Sequence, residues 1–343
     1  MSKRERAVVI FPGRGSYAAG ELGYLRRHHA DAADMVARLD TLRQGAGADS
    51  VAALDAMERF SPSRHLPGRN ASNLIYTAAL ADYAAIDRDR YDIVAVCGNS
   101  LGWYLSLAGA GALSLEDGAR LVDRMGATME ADGVGGQILY PVAGEDWRID
   151  PARRDRAMEA VARTDNAYLS IDLGGTLVLA GDKAALAAMQ SILATNGEDA
   201  PVQLPKHAAF HTPLLSHVPA LAQGALPAGL FDAPDIPMID GRGMVWSPWG
   251  TDVSALYRYT LETQIMETYD FAKSVEVACK EFAPDRLILA GPGSTLGAPI
   301  AQTLIALGWH GLASRADFMQ IQQADPFLLA MGRSEQRGLA VAR

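Results

Sequence analysis

Apolar and polar positions along the chain fall into two rhythms. Three short, continuous apolar runs, at residues 7–11, 93–97 and 287–290, each end in a glycine-containing turn: Pro12-Gly13, Gly98 and Gly291-Pro-Gly293. Runs of this kind suit strands covered on both faces, as in a parallel sheet between helices. Residues 73–85, 101–112, 115–130 and 269–282 carry the pattern of helices between such strands. Strands alternating with helices predict a doubly wound α/β domain.

The second rhythm occupies residues 135–204. Strand patterns at 137–142, 167–171, 176–180 and 202–204 alternate with helix patterns at 151–163 and 183–195. In the last of these helices Leu186, Met189 and Leu193 are spaced by three and four, one apolar stripe. The order β-α-β-β-α-β is the ferredoxin-like signature. Gly133-Val-Gly-Gly136 and Pro205 flank it, and the Pro/Gly-rich stretch 223–237 reads as a surface loop.

Composition narrows the class. The chain has 343 residues, 49% hydrophobic and 21% charged, enough apolar surface for a sizeable core. Its net charge of −9 argues against binding nucleic acid through bulk charge. The first apolar run stops at Pro12-Gly13, too short for a signal segment, and no stretch is long enough to span a membrane. Two cysteines, Cys97 and Cys279, lack metal-ligand spacing and suit a reducing compartment. A cytoplasmic protein with no bound cofactor or metal, and with no nucleic-acid or membrane partner, is the expectation.

Gly98-Asn-Ser-Leu-Gly102 is a G-x-S-x-G between a strand and a helix. In that setting Ser100 sits on a tight strand-to-helix turn, beside the unpaired N–H groups and positive dipole end of the helix. The same five residues also occur at ordinary βα turns. A serine nucleophile needs a base. Of the seven histidines, His211 stands out, set on a loop between Ala208-Ala-Phe210 and Thr212-Pro213, although a core histidine bonded to backbone fits that setting too. His207 is the next candidate. Elbow and alternation together imply a large doubly wound, α/β-hydrolase-like domain (1–134 and 205–343) with a small inserted ferredoxin-like α+β subdomain (135–204).

Several segments then resemble one family. Phe11-Pro-Gly-Arg-Gly-Ser16 is similar to the F-P-G-Q-G-S opening of malonyl-CoA:acyl-carrier-protein transacylases, and Gly98-Asn-Ser-Leu-Gly-Trp-Tyr104 to their G-H-S-L-G-E-Y segment. Ala209-Phe-His-Thr-Pro213 resembles A-F-H-S-P around the family's histidine, and Leu121-Val-Asp-Arg124 the segment carrying its carboxylate-binding arginine. Gln264 stands at the glutamine of L-x-x-Q, and Leu289-Ala-Gly-Pro-Gly293 resembles a late E-x-G-P-G turn. The matches are collinear over residues 7–297 and extend to the acyltransferases of polyketide synthases.

The resemblance implies ping-pong acyl transfer from a malonyl-type acyl-CoA to an acyl carrier protein. Ser100 would be nucleophile, His211 general base oriented by the Gln264 carbonyl, and the N–H groups of Leu101 and Arg14 the oxyanion hole. Arg124 would hold the free carboxylate. Departures fall around this core. Asn99 replaces a histidine and Trp103 an acid. Met125 stands where a glycine follows the arginine, and Thr128 where the family has methionine. Asp172 and Thr176 replace amide residues, which puts Asn99, Thr128 and Asp172 among the expected substrate contacts and suggests an altered acyl preference. Asp172 and Arg14 are also candidates to pair with each other. Arg64, Arg69 and Lys206 are candidates for a local basic patch toward the carrier. An acyl-thioester hydrolase on the same scaffold is the alternative reading. A non-catalytic carrier-binding module is a third, disfavoured by the intact Ser100 and His211.

Overall fold

The computed structural model describes residues 3–194 and 200–342. Among these described residues eleven strands form two sheets. The larger uses β1 (Glu5–Phe11), β2 (Tyr91–Gly98), β7 (Met238–Ile239), β8 (Val245–Trp246), β10 (Arg286–Leu289) and β11 (Leu328–Ala330), in the order β11-β10-β1-β2-β7-β8. All its pairings are parallel except β7 with β8. Ala7 to Phe11 are fully buried, as a strand covered on both faces requires. The helices Gly68–Ala85, Leu101–Gly109, Leu115–Ala131 and Phe271–Phe282 pack about this sheet, close to their expected places.

The smaller sheet contains β3 (Gly136–Pro141), β4 (Ala167–Asp172), β5 (Thr176–Gly181), β6 (Val202–Gln203) and β9 (Tyr269–Asp270), ordered β6-β3-β5-β4-β9. Its first four strands are antiparallel neighbours with the helices Pro151–Ala162 and Lys183–Leu193 between them, the ferredoxin-like arrangement. A separate cluster of buried residues, including Ile138, Tyr140, Leu179 and Met189, forms beneath it. The expected helix end at Thr195 lies outside the described residues.

Two expectations change. Residues 269–270, read as the start of a helix, instead form β9 and pair in parallel with Ile171 and Asp172 of β4, tying the two sheets together. The stretch 223–237 is not all loop, because the helix Val218–Ala225 runs into it and a 3-10 turn covers Ala228–Leu230.

Candidate active site

The turn after β2 is shaped by two close approaches. A Cβ on Gly98 would lie 2.4 Å from the carbonyl carbon of Gly102, and one on Gly102 would lie 2.3 Å from the Phe11 carbonyl oxygen. Only glycine fits either position. Between them Ser100 is held at φ 54°, ψ −102°, immediately before the helix Leu101–Gly109. A non-glycine residue in this region is strained, and the turn presents the hydroxyl beyond the C-terminal end of the interior strand β2.

His211 meets it from the loop after β6. It too has positive φ, 58°, and is almost fully buried. The loop is pinned by Ala209 N–H to the Val134 carbonyl (2.7 Å), Thr212 Oγ1–H to the Ala209 carbonyl (2.7 Å) and Ser170 Oγ–H to the Phe210 carbonyl (2.8 Å). His211 Nε2 lies 2.7 Å from Ser100 Oγ, and Nδ1 lies 2.6 Å from the Gln264 carbonyl oxygen. A carbonyl can only accept, so Nδ1 carries the proton and Nε2 offers its lone pair to the serine. Gln264 Nε2 donates to the Ser100 carbonyl at 3.1 Å, and Tyr269 Oη–H to the Gly98 carbonyl at 2.6 Å. Burial lowers the His211 imidazole to about 4, against a smaller upward effect of the Gln264 carbonyl, so it is a neutral base near pH 7.

Ser100 and His211 open onto a cavity of about 390 Å³, within the range of small-ligand sites. Arg14, Asn99, Leu101 and Gln264 also line it. Asn99 Oδ1 is buried with no hydrogen-bond partner among the described residues. Arg14 extends its guanidinium to the carbonyls of Leu66 (3.3 Å) and Lys206 (3.2 Å) and lies over the Phe210 ring. Burial lowers its pKa to about 10, opposed by the charge of Glu130. His207 lines the cavity as well, but its Nδ1 contacts Gln137 Oε1 at 2.7 Å, and burial followed by the nearby Arg14 charge lowers it to about 3.

The remaining expected contacts lie elsewhere. Arg124 is exposed and is not among the residues lining the cavity; its neighbour Met125, 3% exposed, is. The helix Leu115–Ala131 turns Val122, Met125, Gly126 and Met129 to the cavity, spaced by three, one and three residues, while Arg124 falls about 100° round the helix from Met125. Gly126 fixes this facing: a Cβ there would lie 2.7 Å from Arg69 Cα on the neighbouring helix. Shifting the resemblance by one residue removes two of its departures. Gly126 then supplies the glycine after the arginine position, Met129 supplies the methionine sought at Thr128, and Met125 occupies the place of the arginine itself.

Thr128 is buried but does not line the cavity, and neither does Trp103, whose indole N–H donates to Thr260 Oγ1 at 3.0 Å. Asp172 pairs with Arg154 at 2.6 Å and accepts the Gly174 N–H at 2.8 Å, so it serves its own turn rather than Arg14 or a substrate. Thr176, at the start of β5, is also absent from the cavity wall. Arg69 is bound to Asp123 and Arg64 to Asp49, while Lys206 is exposed at the rim. Among the described residues no helix is long and apolar enough to cross a membrane, and no metal-ligating cluster occurs.

A serine at a strand–helix elbow, at the N-terminus of the helix Leu101–Gly109, and a histidine within hydrogen-bond reach make an arrangement capable of nucleophilic acyl chemistry on an α/β scaffold. No family model matches the chain. It is 26% identical over 302 residues to the malonyl CoA-acyl carrier protein transacylase of Salmonella typhimurium, covering 84% of this chain and 90% of that one. It is 28% identical over 314 residues to the phenolphthiocerol synthesis polyketide synthase type I Pks15/1 of Mycobacterium marinum, covering 87% of this chain but only 14% of the synthase. The acyl-carrier-protein S-malonyltransferase structure from Burkholderia pseudomallei superposes with a TM-score of 0.77 at 21% identity, over 97% of this chain and 99% of that one. The resemblance to malonyl-CoA:acyl-carrier-protein transacylases and polyketide-synthase acyltransferases therefore extends over most of the chain and its fold.

Proposed function

We propose that this chain is an acyl-carrier-protein S-acyltransferase, taking an acyl group from coenzyme A onto Ser100 and passing it to a carrier thiol. The observation that carries this reading is the chain of contacts from Ser100 Oγ through the His211 ring to the Gln264 carbonyl. The similarity to a malonyl CoA-acyl carrier protein transacylase over most of the chain supports a coenzyme A thioester as donor and an acyl carrier protein as acceptor. His211 Nε2 takes the serine proton as Oγ attacks the thioester carbonyl carbon. The oxyanion is received by the N–H groups of Leu101 and Arg14, which belong to main chain and so do not depend on the Arg14 side chain. Collapse breaks the carbon–sulfur bond, and His211 returns the proton to the departing coenzyme A thiolate. The carrier thiol then attacks the seryl ester through the same steps in reverse.

Incubation with a panel of radiolabelled acyl-CoAs, malonyl-CoA included, followed by a holo carrier protein tests the reading. Label should leave the enzyme and appear on the carrier thiol. Release of free acid at the same rate with and without carrier would replace the transferase by a thioesterase.

A further inference from the structure

The acyl-transfer reading leaves the acyl group itself open, and the cavity wall speaks to it. The side chains of Leu101, Tyr104, Val122, Met125, Ile171 and Val178 line it together. Among the described lining residues Arg14 is the sole arginine or lysine. Its guanidinium is already committed, bonded to two loop carbonyls, laid over Phe210 and balanced by the charge of Glu130. The two lining histidines are held neutral by burial. Arg124, the arginine that the sequence offers for a carboxylate, faces solvent.

We propose that Ser100 carries an uncharged alkyl acyl group, seated against Met125 and its apolar neighbours, in place of a carboxylated one. The proposal rests on the acyl-transfer reading and specifies its substrate class. A carboxylate entering this wall loses its water without gaining a dedicated cation, an unfavourable exchange. An acetyl or short alkyl group has no charge to desolvate on entry and gains apolar contact. The unbranched, polarizable Met125 side chain adapts to such a group where a shorter, branched residue would leave gaps.

Initial acylation rates of the full chain with acetyl-CoA, butyryl-CoA and malonyl-CoA, read by intact mass, decide the matter. At least one uncharged donor should exceed malonyl-CoA in kcat/KM by ~10-fold or more. Met125→Arg should shift that ratio toward malonyl-CoA by ~10-fold or more, whereas Arg124→Ala should leave it within about twofold. The wild-type ratio stands as the test even where Met125→Arg fails to fold. Malonyl-CoA as the fastest wild-type donor overturns this inference and leaves acyl transfer intact. No adduct from any donor overturns acyl transfer, and this inference with it.

Discussion

The elbow around Ser100 and the helix Leu115–Ala131 line the same cavity, but they are specified in different ways. At the elbow the geometry is imposed by main chain: two glycines that admit no Cβ, a strained serine, and a histidine oriented by a backbone carbonyl. On the helix the cavity wall is made of side chains, Val122, Met125 and Met129 among them. Bond-making machinery built from backbone tolerates drift in the neighbouring side chains, because an N–H or carbonyl keeps its place when Gln becomes Arg. Recognition built from side chains changes with a single residue. The same scaffold can therefore keep its chemistry while its acyl preference moves.

Replacing the base strikes the elbow hardest. His211→Ala should slow acylation by about 10²–10⁴-fold, the usual worth of a positioned proton acceptor, and leave a residue supported by the backbone N–H groups. Near wild-type acylation in stopped assays of that variant would hand the role to His207. The pH profile sharpens the same point. The competent imidazole is the neutral one, so acylation should be level near neutrality and fall roughly tenfold per unit once pH drops below about 4, if the fold survives there. Survival is itself pH-linked. Between the ordinary histidine value near 6.5 and the folded values of about 4 and 3, the unfolded chain binds protons that buried His211 and half-buried His207 refuse. Stability should thus decline as pH falls below about 6.5, measurable by denaturant titration at pH 7 and pH 5.

A smaller effect separates support from chemistry. Tyr269→Phe removes the donor to the buried Gly98 carbonyl and should destabilise the fold by about 1–3 kcal/mol in denaturant midpoints, with acylation reduced less than in His211→Ala. An equal loss of activity in the two variants would mean that the elbow does not hold its shape without the tyrosine.

What the sequence reveals follows the same division. The elbow is legible because strand, glycines, serine and helix are contiguous, and His211 because a short loop of small residues, an aromatic and a proline surrounds it. The ferredoxin-like order is legible from periodicity alone. The acyl wall is not, because a helix turns about 100° per residue and a one-residue error in register exchanges a solvent-facing Arg124 for a cavity-facing Met125. The signal that could have found it was Gly126, whose closeness to Arg69 fixes the helix's facing and which stands one residue beyond the place where the motif puts its glycine. Long-range pairings were equally hidden. Nothing local marks Asp172 for Arg154, or residues 269–270 for the edge of a sheet begun more than a hundred residues earlier.

The covalent seryl ester is the claim on which the rest depends, and peptide mapping of the chain after brief exposure to acyl-CoA tests it most directly. Wild-type protein should gain the mass of one acyl group on the peptide containing Ser100, and Ser100→Ala, which removes a hydroxyl and no core volume, should gain none while keeping its fold. Acyl mass on the Ser100→Ala chain, or on any other peptide of the wild type at the same rate, would contradict the account.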